Sequence, residues 1–456
     1  MRPTRWRRTT HVAVGAAVLL LVAVVVAAAA LFTGSGDDVA VPPAPAPATA
    51  NPAVVPVEDG APKPTRAGLA AALAPALADP DLGDFTGRVS DALTGAELWS
   101  QGADVPMQPA SVNKSLTAAA ALLTLDRDAR LTTRVLRGDR PGLIVLKGGG
   151  DPTLSAAPPG EDTWYRDAAR ISDLADQVRA SGVPVTRVAV DVSAYTGPTM
   201  APGWDPLDID YGDIAPIEPV MLDAGRTQPV SYDSVRSHTP ALDAGRALAA
   251  ALKVDPATVT VLPRAATGEE IAAVQSPPLM QRLRDMMNFS DNVMAETIGR
   301  EVAAAAGRPQ SFDGAVRAVL DALKDAGIDT ARARLFDSSG LSVDDRLTAN
   351  TLDSLVQAAA GSGHPRLRPL VDLLPVAGGS GTLSNRYLDP EPLRRAAGFL
   401  RAKTGSLTGT NTLSGIVTDA SGRVLTFALI SNNAGPTGRI ALDNVAAVLR
   451  SCGCDS

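Results

Sequence analysis

Residues Val12 to Phe32 form an unbroken apolar run of 21 residues, preceded by Arg2, Arg5, Arg7 and Arg8. At about 1.5 Å of rise per residue, a helix of that length crosses the hydrocarbon core of a bilayer. Arginines on its N-terminal side favour a cytoplasmic N-terminus, which sends everything after Thr33 outside. The run is longer than a usual signal-peptide core. It reads as an uncleaved anchor, with cleavage near Ala28-Ala29-Ala30 and a secreted product as the alternative. From Val39 to Pro64 the chain reads VAVPPAPAPATANPAVVPVEDGAPKP, a semi-rigid spacer with no core to bury. The expected order is a basic tail over 1–11, an anchor or signal over 12–32, a Pro/Ala-rich linker over 33–64, and a folded extracytoplasmic part from Thr65.

That folded part is too long for one small domain and implies two or three units. A net charge of −7 and a pI near 5.2 argue against nucleic acid or an anionic membrane surface as partner. Cys452 and Cys454, without neighbouring histidines, make a poor zinc site and read as an incidental tail disulfide of an oxidising compartment. Beyond His11 there are only His238 and His364. A Ser-His-Asp relay would have to use one of those two, and no Gly-x-Ser-x-Gly elbow accompanies them. No His-Glu-x-x-His pair is present for a metallohydrolase. KGGGDP, residues 147–152, lacks the Gly-Lys-Ser/Thr ending of a phosphate loop and reads as a turn after the strand GLIVL.

Lysine is scarce: Lys63, Lys114, Lys147, Lys253, Lys324 and Lys403 are the only ones among 42 basic residues. Where arginine serves as the ordinary cation, a retained lysine points to a group that can lose its proton. In PASVNKSLTAAAALLTL, residues 109–125, the spacing of Leu116, Ala119, Leu122 and Leu123 predicts a helix beginning near Ser111. Positions i and i+3 share a helix face, so Ser111 and Lys114 fall within hydrogen-bond reach. A desolvated, neutral lysine can take the serine proton and create a nucleophile without histidine. The bland alternative is a helix-capping serine beside a solvated charge.

Two further segments weigh against the bland alternative. NFSDNVMAETIGREVAAAAG carries Ser290-Asp291-Asn292 at a loop-to-helix start, and LRAKTGSLTG carries Lys403-Thr404-Gly405 on a strand. Ser-x-Asn alone is weak, because Ser111-Val112-Asn113 and Ser431-Asn432-Asn433 also match it. The ordered set Ser-x-x-Lys, Ser-Asp-Asn, Lys-Thr-Gly is the constellation of serine acyl-enzymes that bind penicillin. From about Phe85 to Asn433 the chain resembles the low-molecular-mass class C penicillin-binding proteins, the D-alanyl-D-alanine carboxypeptidase/endopeptidase family. GGGDPTLS (148–155), DVSAYTGPTMAPGWDP (191–206), DSSGLS (337–342), LLPVAGGSGTLSNR (373–386) and RAKTGSLTG (401–409) carry the likeness.

The resemblance implies an α/β penicillin-recognising, serine transpeptidase-like fold, a five-stranded antiparallel sheet flanked by helices. It implies a discontinuous peptidase domain over 65–151 and 272–456, with an inserted smaller domain over 152–271. It also implies roles: Ser111 as nucleophile, Lys114 as base, Ser290 as proton relay and Asn292 as the group orienting Lys114 and the substrate amide. Lys403 would keep the pocket electropositive and support Ser290. Thr404 and Ser406 would receive the substrate carboxylate, Gly405 would admit its backbone, and the N–H groups of Ser111 and Ser406 would form the oxyanion hole. The expected substrates are peptidoglycan stem peptides and the expected inhibitors β-lactam antibiotics, with no metal or organic cofactor. A class A β-lactamase would need a deacylating glutamate between the second and third motifs, and none occurs between Glu301 and Glu391. A penicillin-binding sensor that has lost turnover is the remaining alternative.

Overall fold

The computed structural model describes residues 60–228 and 230–453, together with residues 20, 21, 23 and 24. Apart from those four helical residues, the apolar run 12–32 lies outside the described residues, as does the linker up to residue 59. Among the described residues no helix is long and apolar enough to cross a membrane. The chain divides into two units, 1–56 and 57–456, and the folded architecture belongs to the second.

Its first sheet is antiparallel throughout, in the order β2-β1-β10-β9-β8. The strands are β1 (Asp84–Asp91), β2 (Glu97–Gln101), β8 (Leu400–Leu407), β9 (Thr410–Thr418) and β10 (Val424–Asn432). The β9–β10 hairpin turns at Asp419-Ala420-Ser421-Gly422, where Gly422 takes a φ of 86° that other residues avoid. Alternation along β10 sorts its side chains between two cores. Phe427 and Leu429 pack with the terminal helices Arg66–Leu77 and Gly438–Ser451 on one face. Ala428 and Ile430 join the larger helical core on the other. The first of those terminal helices starts at Thr65, whose hydroxyl accepts the Gly68 N–H at 3.0 Å.

The helix Lys114–Thr124 runs through that larger core, and residues 114–122 are all buried. A helix that is apolar all round belongs inside a protein, and the small side chains of Ala118–Ala121 let the helices Asn292–Ala305 and Phe312–Asp325 approach it closely. The sequence pattern starts this helix near Ser111. Instead, Ala110–Asn113 form one 3₁₀ turn and the α-helix begins at Lys114.

A second, mixed sheet has the order β6-β5-β4-β3-β7. Its strands are β3 (Thr132–Arg137), β4 (Leu143–Lys147), β5 (Arg187–Asp191), β6 (Thr260–Val261) and β7 (Glu270–Gln275). The helices Ile171–Ala180 and Pro240–Ala251 make the crossovers that parallel pairing of β4, β5 and β6 requires, and they cover the sheet with Leu174, Val178, Ala244 and Leu248. The expected insertion 152–271 supplies only part of this sheet. The strands β3 and β4 precede it and β7 extends beyond it, because a strand's sequence records its burial but not its partner.

Candidate active site

The nucleophile turn is wedged between two other segments. Ala110 is held at φ 50°, a sparsely populated conformation for a residue with a Cβ. Gly340, at φ 80°, packs against the Ala110 carbonyl, leaving no room there for a Cβ. Gly405 on β8 meets the same turn from the sheet side: a Cβ there would lie 2.8 Å from Pro109 O and 2.9 Å from Ser111 N. The space at Gly405, expected to admit substrate backbone, is thus filled on this side by the protein's own nucleophile turn.

Within this frame the three motifs meet. Lys114 Nζ lies 2.8 Å from Ser111 Oγ, 2.5 Å from Asn292 Oδ1 and 2.8 Å from the carbonyl oxygen of Ser339. Asn292 Nδ2 donates to the carbonyl of Asp213 at 2.9 Å, which turns its oxygen towards the lysine. Lys403 Nζ reaches Ser290 Oγ at 2.9 Å and the Thr404 carbonyl at 2.8 Å. Thr404 Oγ1 pairs with Thr382 Oγ1 at 2.8 Å, while Ser406 is exposed. Ser111, Ser290, Asn292, Thr404 and Ser406 line one cleft of about 820 Å³.

Both lysines are fully buried. Burial pushes the Lys114 amine down to about 8, against the pull of Asp337, Asp291, Glu296 and Asp213, which favour its charged form. Burial, and then the neighbouring Lys114, push Lys403 well below the ordinary lysine range. Its amine donates a hydrogen bond to Ser290 Oγ, the contact that joins the second and third motifs.

Supporting residues outside the nucleophile turn hold this frame in place. Asp213 belongs to the segment expected as an insertion, and burial raises its own pKa. Asp337 folds the 337–342 loop by accepting Ser339 N, Gly340 N, Ser342 N and Trp204 Nε1, which aims the Ser339 carbonyl at Lys114. Below the lysine, Glu296 accepts Ser338 N–H at 2.9 Å, and burial followed by Asp337 pushes its carboxyl up to about 8. Asp291, the middle residue of its motif, caps the helix Asn292–Ala305 through Met294 N at 3.0 Å. Its other oxygen accepts from Tyr165 Oη at 2.6 Å and faces Arg226 at 3.5 Å. Burial raises the Asp291 pKa, but Arg226 and Arg236 outweigh it and hold the carboxyl below the usual range. Ser290, just before it, sits at φ 56° in the left-handed region. Among the described residues no cluster of His, Cys, Asp and Glu is arranged to hold a metal ion. His238 is a surface residue paired with Asp210, and Cys452 is disulfide-bonded.

A serine with a buried lysine one turn on, beside a five-stranded antiparallel sheet, defines a serine hydrolase of the penicillin-recognising class. A family model described as D-Ala-D-Ala carboxypeptidase 3 (S13) family matches residues 69–234 and 228–449. The chain belongs to that family and is a serine-type D-Ala-D-Ala carboxypeptidase. A model described as the N-terminal domain of Rv3627c-like carboxypeptidases matches residues 1–56. The chain is 74% identical to carboxypeptidase DacB of Mycolicibacterium smegmatis and 64% identical to carboxypeptidase Rv3627c of Mycobacterium tuberculosis, covering 100% of each chain in both pairs. Its fold is similar to penicillin binding protein 4 of Haemophilus influenzae, with a TM-score of 0.66 at 21% identity over 83% of this chain and 97% of that one.

Proposed function

We propose that this carboxypeptidase removes the terminal D-alanine of peptidoglycan stem peptides through an acyl-enzyme on Ser111. The observation that carries the reading is the 2.8 Å approach of the buried Lys114 amine to Ser111 Oγ. Neutral Lys114 takes the Ser111 proton as Oγ bonds to the carbonyl carbon between the two D-alanines. The developing oxyanion is met by the N–H groups of Ser111 and Ser406. As the C–N bond breaks, Ser290 passes a proton to the leaving amine and is resupplied from the lysines behind it. Water then adds to the acyl carbon, Oγ leaves with its proton, and the shortened peptide departs. Thr404 and Ser406 receive the substrate's terminal carboxylate, whose charge favours the protonated form of Lys403. No metal or organic cofactor enters these steps. When the scissile bond belongs to a cross-link, the same steps make the enzyme an endopeptidase. A β-lactam presents its amide to the same serine and acts as an inhibitor.

The arginines ahead of the apolar run 12–32 support a membrane-anchored enzyme working outside the cytoplasm. Cell fractionation with protease accessibility tests that placement; loss of the catalytic part from intact cells on protease treatment is the expected result. The chemistry is tested by incubating the full chain in detergent with defined pentapeptide and with cross-linked muropeptide. Mass spectrometry after penicillin treatment should place the adduct on the peptide containing Ser111. An adduct on any other serine would remove the assignment.

A further inference from the structure

The rim of the Ser111 cleft gathers aromatic rings that the chain otherwise keeps covered. Phe, Trp and Tyr make up only 4% of the sequence. Among the described residues four aromatic side chains are largely exposed: Tyr211 (72%), Tyr232 (63%), Phe399 (47%) and Phe289 (41%). Three of them, Tyr211, Tyr232 and Phe289, line the cleft that holds Ser111. Exposed apolar surface concentrated in one place marks a binding surface, whereas isolated exposed rings need no explanation.

The patch is built on fixed supports. The Trp164 ring lies 6.1 Å from Tyr232 and 5.5 Å from Phe289, centroid to centroid. The Arg226 guanidinium sits 4.2 Å from the Trp164 centroid and belongs to the buried Tyr165–Asp291 network beside Ser290. Arg236 ties the two tyrosine loops together, its N–H donating to Ile209 O at 3.0 Å and its Nε to Gly212 O at 2.9 Å. Acceptor groups stand among the rings, since Asp205, Asp208 and Asp233 line the same cleft.

The rings share one cleft with Ser111, so a chain that presents its end to Ser111 is the ligand this rim is placed to meet. The two terminal D-alanines carry only methyl groups and give ring faces little to cover. Further from the scissile bond, a stem peptide is attached to sugar. A pyranose offers an apolar C–H face for stacking and an edge of hydroxyl donors for carboxylates, which is the pairing of rings and acceptors found here. Resting on the stem-peptide reading above, we infer that Tyr211 and Tyr232 form a glycan subsite that stacks against sugar rings of the strand bearing the stem peptide.

The test is calorimetric binding to the full chain carrying Ser111→Ala, with and without Tyr211→Ala and Tyr232→Ala. The ligands are a bare pentapeptide and the same pentapeptide on a GlcNAc–MurNAc disaccharide. Loss of the stacked rings should weaken affinity about tenfold, or roughly 1.4 kcal/mol. That loss is expected for the disaccharide ligand and not for the bare peptide, and Tyr232→Phe, which keeps the ring, should retain most of the affinity. Equal weakening of both ligands would assign the rim to the peptide and overturn the inference. No weakening of either would leave it bare surface and overturn it too. Both tyrosines are exposed, so folding is not at stake. Failure of the stem-peptide reading is seen separately, as the wild-type chain releasing no D-alanine from either ligand.

Discussion

Lys114 Nζ and Asn292 Oδ1 stand 2.5 Å apart although 178 residues separate them in sequence. Three oxygens surround that nitrogen, and they are not equivalent. Asn292 Oδ1 and Ser339 O can only accept hydrogen bonds, while Ser111 Oγ can also donate one. A neutral amine has two N–H donors and one lone pair. It satisfies both acceptors and turns its lone pair to the serine hydroxyl, the geometry that a general base requires. An ammonium would instead use its third hydrogen on Ser111 and block the attack.

Acylation by a fluorescent penicillin should therefore depend on the Lys114 proton. The folded-state value of about 8 is below the ordinary lysine value, so the active neutral form is the minority species at pH 7. The second-order rate should rise with pH through about 8 and level off above it. A rate that falls as pH rises from 7 to 9 would contradict a neutral lysine base.

Asn292→Asp changes this balance with little change in volume. It sets a carboxylate beside Nζ, which favours the ammonium, and removes the donor that holds Asp213 O. The midpoint of the pH profile should move upward and the rate at pH 7 should fall at least tenfold, on the scale of one pKa unit per 1.36 kcal/mol. An unchanged midpoint in a well-folded variant would separate Asn292 from the lysine's proton.

Gly405→Ala tests the contact between β8 and the nucleophile turn. The new methyl would press on Pro109 O, Ser111 N and, closest of all, Thr412 Oγ1. Overpacking of this kind costs about 1–3 kcal/mol. Because one of the crowded atoms is the Ser111 nitrogen, whose N–H is an oxyanion donor, the acylation rate should fall more than thermal stability does. Stopped-flow acylation and thermal melting of the same preparation would compare the two.

The catalytic frame was legible in the sequence because each motif is short and its internal spacing sets its geometry. Ser111 and Lys114 are three residues apart, and the scarcity of lysine singled out Lys114 and Lys403 together. The five-stranded antiparallel sheet came with the family resemblance, whereas the residues themselves marked only Lys403-Thr404-Gly405 as part of a strand. Contacts made by main-chain groups were not legible. The Ser339 and Asp213 carbonyls carry no side-chain signature, and only the folded chain brings them to Lys114 and Asn292. The pairing of β3, β4 and β7 was hidden for a related reason, because alternation in one strand does not name the strand beside it. Arg226 looked like any other arginine until burial set it against Asp291.

Arg226→Gln follows from that burial. Both members of the pair are almost fully covered, so the substitution leaves the Asp291 carboxylate with Tyr165, the Met294 N–H and Arg236 as its remaining support. Removing one partner of a buried pair typically costs about 3–5 kcal/mol. Thermal melting should fall accordingly, and Arg226→Gln combined with Asp291→Asn should recover part of the loss. Absence of any recovery would mean that the two charges are not coupled.

Lys114→Arg separates charge from basicity at the centre of the site. If Lys114 served only as a cation, arginine, the cation this chain uses nearly everywhere else, would replace it with little loss. As the base it cannot be replaced, because a guanidinium does not deprotonate near neutral pH. A positioned general base contributes about 10²–10⁴-fold, or roughly 3–5 kcal/mol of barrier. Acylation by a fluorescent penicillin should fall by that factor. The site is fully buried, so the larger planar head could also disturb packing, and thermal melting must accompany the rate. Lys253→Arg, at an exposed position following the helix Pro240–Ala251, should leave the acylation rate unchanged and controls for the exchange itself. A well-folded Lys114→Arg protein that acylates at the normal rate would take Lys114 out of the mechanism.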